Sequence, residues 1–138
     1  MLSLSAEVLR RDDAAQENRI ITQDFSKTVD ELVSILGVKL VALIGDVLET
    51  RAVRQWSTGT RSTSDGRKAI LSFALKIADM ISRRYNNRTA QSWFLGLNSH
   101  LGRRVPALVL RDIRDTDLDQ IQSTELEMIQ AVETLTER

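Results

Sequence analysis

The sequence predicts an all-α protein: a helix-turn-helix part packed on a long central helix, followed by a small helical C-terminal part. Three observations lead there. Apolar residues recur at three- and four-residue spacing along most of the chain, and no stretch alternates with the two-residue period of a strand. Single glycines stand just past several of these stretches, where a helix leaves its right-handed course. The sole proline, Pro106, opens an apolar run, and the first helical position tolerates its missing N–H. Apolar residues make up 42% of 138, enough for a core of one domain with tails.

Residues 1–24 carry no sustained stripe. Leu4, Val8 and Leu9 span little more than a helical turn, so this stretch reads as a mobile N-terminal tail. From Phe25 the pattern sharpens: Val29, Leu32, Val33 and Leu36 share one face, Ser26 with Asp30 nearby offers a start, and Gly37 a stop. Two short helices meeting at a turn near 45–49 follow. The first holds Leu40, Val41, Leu43 and Ile44; the second, near 49–56, gathers Ala52, Val53 and Trp56 on one side. Thr50, Arg51, Arg54 and Gln55 are left for the other side. That face suits the major groove, because Arg can pair bidentately with guanine and Gln with adenine. Residues 25–66 therefore read as a helix-turn-helix DNA-binding part, with Arg61 in the polar connector and Lys68 just beyond it as further DNA contacts. A plain surface helix with solvated charges would show the same spacing.

Residues 67–85 form the strongest helix, with Ile70, Leu71, Phe73, Ala74, Ile77, Ala78, Met80 and Ile81 on a wide apolar face. Arg83 and Arg84 suit its C-terminal dipole end. Thr89 reads as the N-cap of a shorter helix carrying Trp93, Phe94 and Leu95. A compact turn over 96–102 leads to the helix opened by Pro106, and residues 67–114 form the second unit. Residues 115–138 form an acidic helix in which Leu118, Ile121, Met128, Val132 and Leu135 keep a three-four repeat broken at Glu125. That stripe either packs back on the core or pairs two subunits.

The formal net charge is zero, yet the charges are segregated. Residues 39–104 hold twelve Lys or Arg against four Asp or Glu, while both ends are acidic. A basic middle attracts a phosphate backbone; acidic ends either repel it or engage a basic partner. With no cysteine and one histidine, His100, thiol chemistry and a multi-histidine metal site are excluded. Asp12 and Asp13, like Asp115, Asp117 and Asp119, fall in segments expected to be solvated, the wrong setting for acid–base work. The last three echo the start of a calcium loop, but no turn glycine follows and the closing acid is misplaced. No enzymatic activity, cofactor or metal is expected. No apolar run approaches the roughly 20 residues of a membrane span, and the N-terminus lacks an apolar signal block, so a cytoplasmic protein without a membrane partner is expected.

Residues 90–112, AQSWFLGLNSHLGRRVPALVLRD, hold a Trp93-Phe94 pair, Asn98 five residues after the tryptophan, Leu101, and Pro106 ahead of Leu108, Val109 and Leu110. This pattern resembles the signature of the Xre/MbcA/ParS toxin-binding family of antitoxins. The Trp56-x-x-Gly59 ending and the long helix after it also match that family's layout, and the resemblance covers about residues 30–112. It implies an antitoxin of a type II toxin–antitoxin pair that neutralises a RES-type, NAD-degrading toxin by direct binding and represses its own operon. The partners so implied are the cognate toxin, operator DNA and a second copy of the chain in a homodimer. On the resemblance, Trp93, Phe94, Asn98, Leu101, Arg103, Arg104, Pro106 and Arg111 form the partner-binding set, although Trp93, Phe94 and Pro106 equally suit ordinary core and helix-start roles. The alternative is a stand-alone, phage-type helix-turn-helix repressor without a toxin.

Overall fold

In the computed structural model, which describes residues 11–13 and 24–136, helices are the only regular elements among the described residues. They are α1 (Phe25–Leu36), α2 (Val38–Ile44), α3 (Thr50–Thr58), α4 (Asp65–Arg84), α5 (Asn87–Leu95), a 3-10 turn (Ser99–Leu101), α6 (Pro106–Asp112) and α7 (Leu118–Thr136). The all-α expectation holds. Most of the expected N-terminal tail, Leu4, Val8 and Leu9 included, lies outside the described residues. Its residues 11–13 are helical, and Asp13 pairs with Arg83 at 2.8 Å and Arg84 at 2.5 Å. Burial alone would lower the pKa of Arg83, but hydrogen bonds to Asp13 and Asp79 outweigh it and the net shift is upward.

The helix stops fall where glycine marks them. Gly37 closes α1 at φ 88° with its N–H on the Val33 carbonyl, and Gly59 closes α3 at φ 77°. The starts differ from the sequence reading in three places. Neither Ser26 nor Asp30 begins α1: the Asp24 carbonyl takes both the N–H and the hydroxyl of Thr28, so the helix starts at Phe25. Ser64, not the stretch from 67 on, sets the start of α4, its Oγ accepting from the Arg67 N–H at 3.1 Å. Thr89 is not the cap of α5 but the residue capped, since Asn86 Oδ1 accepts from its N–H at 2.7 Å and its hydroxyl at 2.9 Å.

Helix α4 is the spine. Ile70, Leu71, Ala74, Leu75, Ile77, Ala78 and Ile81 are wholly buried, and their spread around the helix lets α1, α5 and α7 pack on different sides of it. Each of the isoleucine and leucine side chains contributes about 1.5–3 kcal/mol of burial, and each alanine less. Helix α3 rests on α1 and α2, and α2 in turn packs on α6, so the packing runs across the boundary expected near residue 66. The C-terminal helix returns to its own chain. Ile121, Thr124, Met128, Ala131 and Val132 are buried against α4 and the 3-10 turn. The break in the three-four repeat is a tether: Glu125 accepts from Lys76 of α4 at 3.1 Å. Leu118, counted in that repeat, is exposed.

Candidate nucleic-acid interface

Trp56 decides how the α2–α3 hairpin is built. Its ring is 1% exposed, meets Phe25 edge-on with centroids 5.8 Å apart, and lies against Gly45 in the turn. A Cβ at Gly45 would stand 2.8 Å from two atoms of that ring, so the glycine answers a close approach, its backbone being ordinary right-handed. The reversal falls on Asp46 instead, at φ 57°, a conformation Asp tolerates better than most side chains. Val47 N–H then bonds the Ala42 carbonyl at 3.1 Å and closes the turn. Ala52, Val53 and Trp56 face inward as expected, which turns Arg51 and Arg54 outward.

On that outward side Arg51 and Arg54 are exposed, while Thr50 and Gln55 are half-buried at its margins. Arg61 is exposed beside Arg51 and Gln55, lining the same shallow cleft, and Lys39 from α2 lines a second cleft with Arg51 and Arg54. None of these four cations pairs with an acidic side chain among the described residues. Glu49 lies in both clefts and is the local exception in sign. Lys68 does not join them freely: it is half-buried, its ammonium 5.5 Å from the centroid of the Phe25 ring. Sequence reasoning missed Lys39, which the i, i+4 pattern of α2 alone would have placed on the open side, and the fully exposed Leu48.

Residues 93–111 form a second, separate surface, and here the structure divides the expected partner-binding set. Phe94, Leu101 and Pro106 are buried and belong to the core, Phe94 meeting Trp93 edge-on at 5.1 Å. They shape the segment without offering contact area, so their assignment to the partner surface is corrected. Asn98 is engaged in the turn itself: its Oδ1 accepts from His100 N–H at 2.9 Å, and its main chain exchanges bonds with Arg103 and Arg104. Arg103 holds φ 61° next to Gly102 at φ 66°, which throws its side chain into solvent. Arg104 donates to the Leu101 carbonyl at 2.6 Å and stands 3.6 Å from Glu127. Arg111 pairs with its neighbour Asp112 at 2.9 Å, a hydrogen bond that raises its pKa. Half-buried Trp93 lines a pocket with Leu97, Asn98, His100, Ala131 and Leu135, so α7 covers one side of the signature.

The two surfaces meet through a residue that sequence reasoning passed over. Arg67, 3% exposed, gives Nη1 to the carbonyls of Ile44 and Leu110, each at 3.1 Å, and Nη2 to that of Ile113 at 2.8 Å. Its Nε bonds Asp115 at 2.8 Å, with Nη2 2.6 Å from the same carboxylate. One guanidinium thus caps the ends of α2 and α6 together. Gly66 beside it has no room for a side chain: a Cβ would fall 1.6 Å from the Asp115 carbonyl oxygen. Asp115 is thereby committed to Arg67 and Ser64, and Asp117 to the Gln120 N–H at the start of α7. His100 is exposed in its turn. Among the described residues no helix is long and apolar enough to cross a membrane. Compared with family models, curated proteins and solved structures, the chain matches none.

Proposed function

We propose that the protein binds duplex DNA through α3 and acts as the antitoxin of a RES-type, NAD-degrading toxin whose operon it represses. The observation that carries the DNA half is the solvent side of the hairpin, where Arg51, Arg54, Arg61 and Lys39 stand without acidic partners among the described residues. An unpaired guanidinium on an exposed helix is free to bind a guanine edge or a phosphate at no cost in broken ion pairs. Trp56 and Phe25 hold the helix rigidly from behind, which is what presenting such groups in register needs. A homodimer reading two half-sites is the corresponding assembly. Ile121, Met128 and Val132 of the α7 stripe are buried within the chain, so their side chains would not form the seam of that dimer.

The antitoxin half rests on the resemblance of residues 90–112. Its contact area then falls to Trp93, Arg103, Arg104 and Arg111, with exposed Leu95 and Leu97 beside them. The buried Phe94, Leu101 and Pro106 act by fixing the shape of the segment. A stand-alone repressor is the competing reading. Two measurements separate them. Gel shifts at two salt concentrations should show binding that weakens steeply with salt, because phosphate contacts release counterions; salt-independent binding, or none, sinks the DNA half. Co-purification with the product of the neighbouring reading frame, and suppression of NAD loss by that product, is expected of an antitoxin. DNA binding with no such partner leaves the repressor.

A further inference from the structure

Leu48 is the most exposed large apolar side chain of the described residues, at 104% of its reference surface. Nothing in the fold uses it. It is the last residue before the Glu49 N-cap of α3, carried outward by the turn that reverses at Asp46. It lines both shallow clefts, one with Lys39, Arg51 and Arg54 and the other with Arg51, Gln55 and Arg61. A leucine held in water among four cations that have no acidic partner among the described residues suits a partner that is anionic around an apolar spot. A protein surface satisfying both demands would need an apolar pocket ringed by carboxylates. The major groove of DNA already has that form: flanking phosphates surround base edges on which thymine alone presents a methyl group. The first residues of a recognition helix are those that meet the base edges.

Building on the DNA-binding reading above, we infer that Leu48 is a specificity-determining residue that packs on the C5-methyl of a thymine in the bound site. Arg51 and Arg54 then supply hydrogen bonds one helical turn apart, and Lys39 and Arg61 hold phosphates on either side. Glu49, the carboxylate in both clefts, is turned to account by accepting from an adjacent cytosine amino group. The interaction is non-polar, so it changes which sequence is bound more than how steeply binding falls with salt.

The test uses the full chain. A preferred duplex is selected from a random pool, and each thymine in it is replaced singly by deoxyuridine, which removes only the methyl. One replacement should weaken binding by about fourfold, the value of one buried methyl-sized group. Leu48→Ala should bind the thymine duplex correspondingly more weakly and lose the distinction between thymine and uracil at that position. Its side chain makes no contact the fold depends on, and an unchanged thermal transition confirms folding. If wild type selects and binds a duplex yet no thymine methyl matters, or if Leu48→Ala keeps the distinction, the inference on Leu48 is overturned while DNA binding stands. If wild type binds no duplex at any salt concentration, the DNA reading and the inference fail together. Loss of a protein partner by Leu48→Ala with unaltered thymine discrimination assigns the residue to a protein surface and overturns the inference as well.

Discussion

The solvent side of α3 and the foot of α4 both present arginine, and they do opposite things with it. Arg51 and Arg54 stand in water with no acidic partner among the described residues. Arg67 is buried, with carbonyls from Ile44, Leu110 and Ile113 and the carboxylate of Asp115 around one guanidinium. All three fall in the basic middle of the chain and count equally in its excess charge. What separates them is how the charge is answered. A cation whose donors are satisfied inside the fold is architecture; one whose donors face water is available to a ligand. The local charge excess therefore overstates the DNA-facing charge, since Arg67, Arg83 and Arg84 are answered within the chain and Lys68 sits over a ring.

The sharpest way to break this contrast is Arg67→Ala. Removing one side of a buried, hydrogen-bonded pair costs about 3–5 kcal/mol. The lower end is expected, because Asp115 keeps 36% of its side chain exposed and recovers solvation. Urea denaturation should show it. A midpoint equal to wild type would mean that the guanidinium does not hold α2 to α6. Trp56→Ala comes next, costing about 3–5 kcal/mol as a large-to-small core change. Trp56→Phe should cost much less, because the indole N–H is buried with no acceptor among the described residues and its removal breaks no hydrogen bond to them. Equal losses in the two variants would point to a missing partner for that N–H. The smallest effect on folding belongs to Arg54→Ala, within about 0.5 kcal/mol in the denaturation midpoint as an exposed substitution. Its DNA affinity should nevertheless fall by about 1–3 kcal/mol at a selected site if it reads a guanine. Loss of stability without loss of affinity would place Arg54 with Arg67 and erase the distinction.

The parts of the fold that depend on neighbours in sequence were legible. Gly37, Gly59 and Pro106 mark helix ends because backbone conformation acts within a residue or two, and the inward set of α3 follows from its spacing alone. Capping was read less well. Ser64 and Asn86 cap their helices without a Glu or Gln three residues on, so neither shows the reciprocal pattern that identifies a capping box. The candidate DNA face was legible as Arg51, Arg54 and Gln55, whereas Arg67 was not, because its acceptors arrive from 23 to 48 residues away. The same reason explains Phe94, Leu101 and Pro106. Their spacing looks like a contact motif, and only the return of neighbouring helices shows that they are enclosed. Glu125 looked like a fault in an apolar repeat until Lys76 came within reach.

The clasp around Arg67 also bears on how the chain is made. A ribosome delivers the α2–α3 hairpin and Arg67 well before Asp115, which lies 48 residues further on. At about 5–20 residues per second, the guanidinium waits about 2–10 seconds for its carboxylate. Until Leu110 is added, 43 residues after Arg67, the Ile44 carbonyl is the only one of these distant acceptors already synthesised. The hairpin is consequently written early and secured late. A nascent or proteolysed chain ending before residue 113 would keep every residue of the proposed DNA-reading face, yet lack the Ile113 carbonyl and the Asp115 carboxylate that lock its first helix in place. Fragments of that length should be poor readers of DNA, so that incomplete products do not compete with the finished protein for its sites.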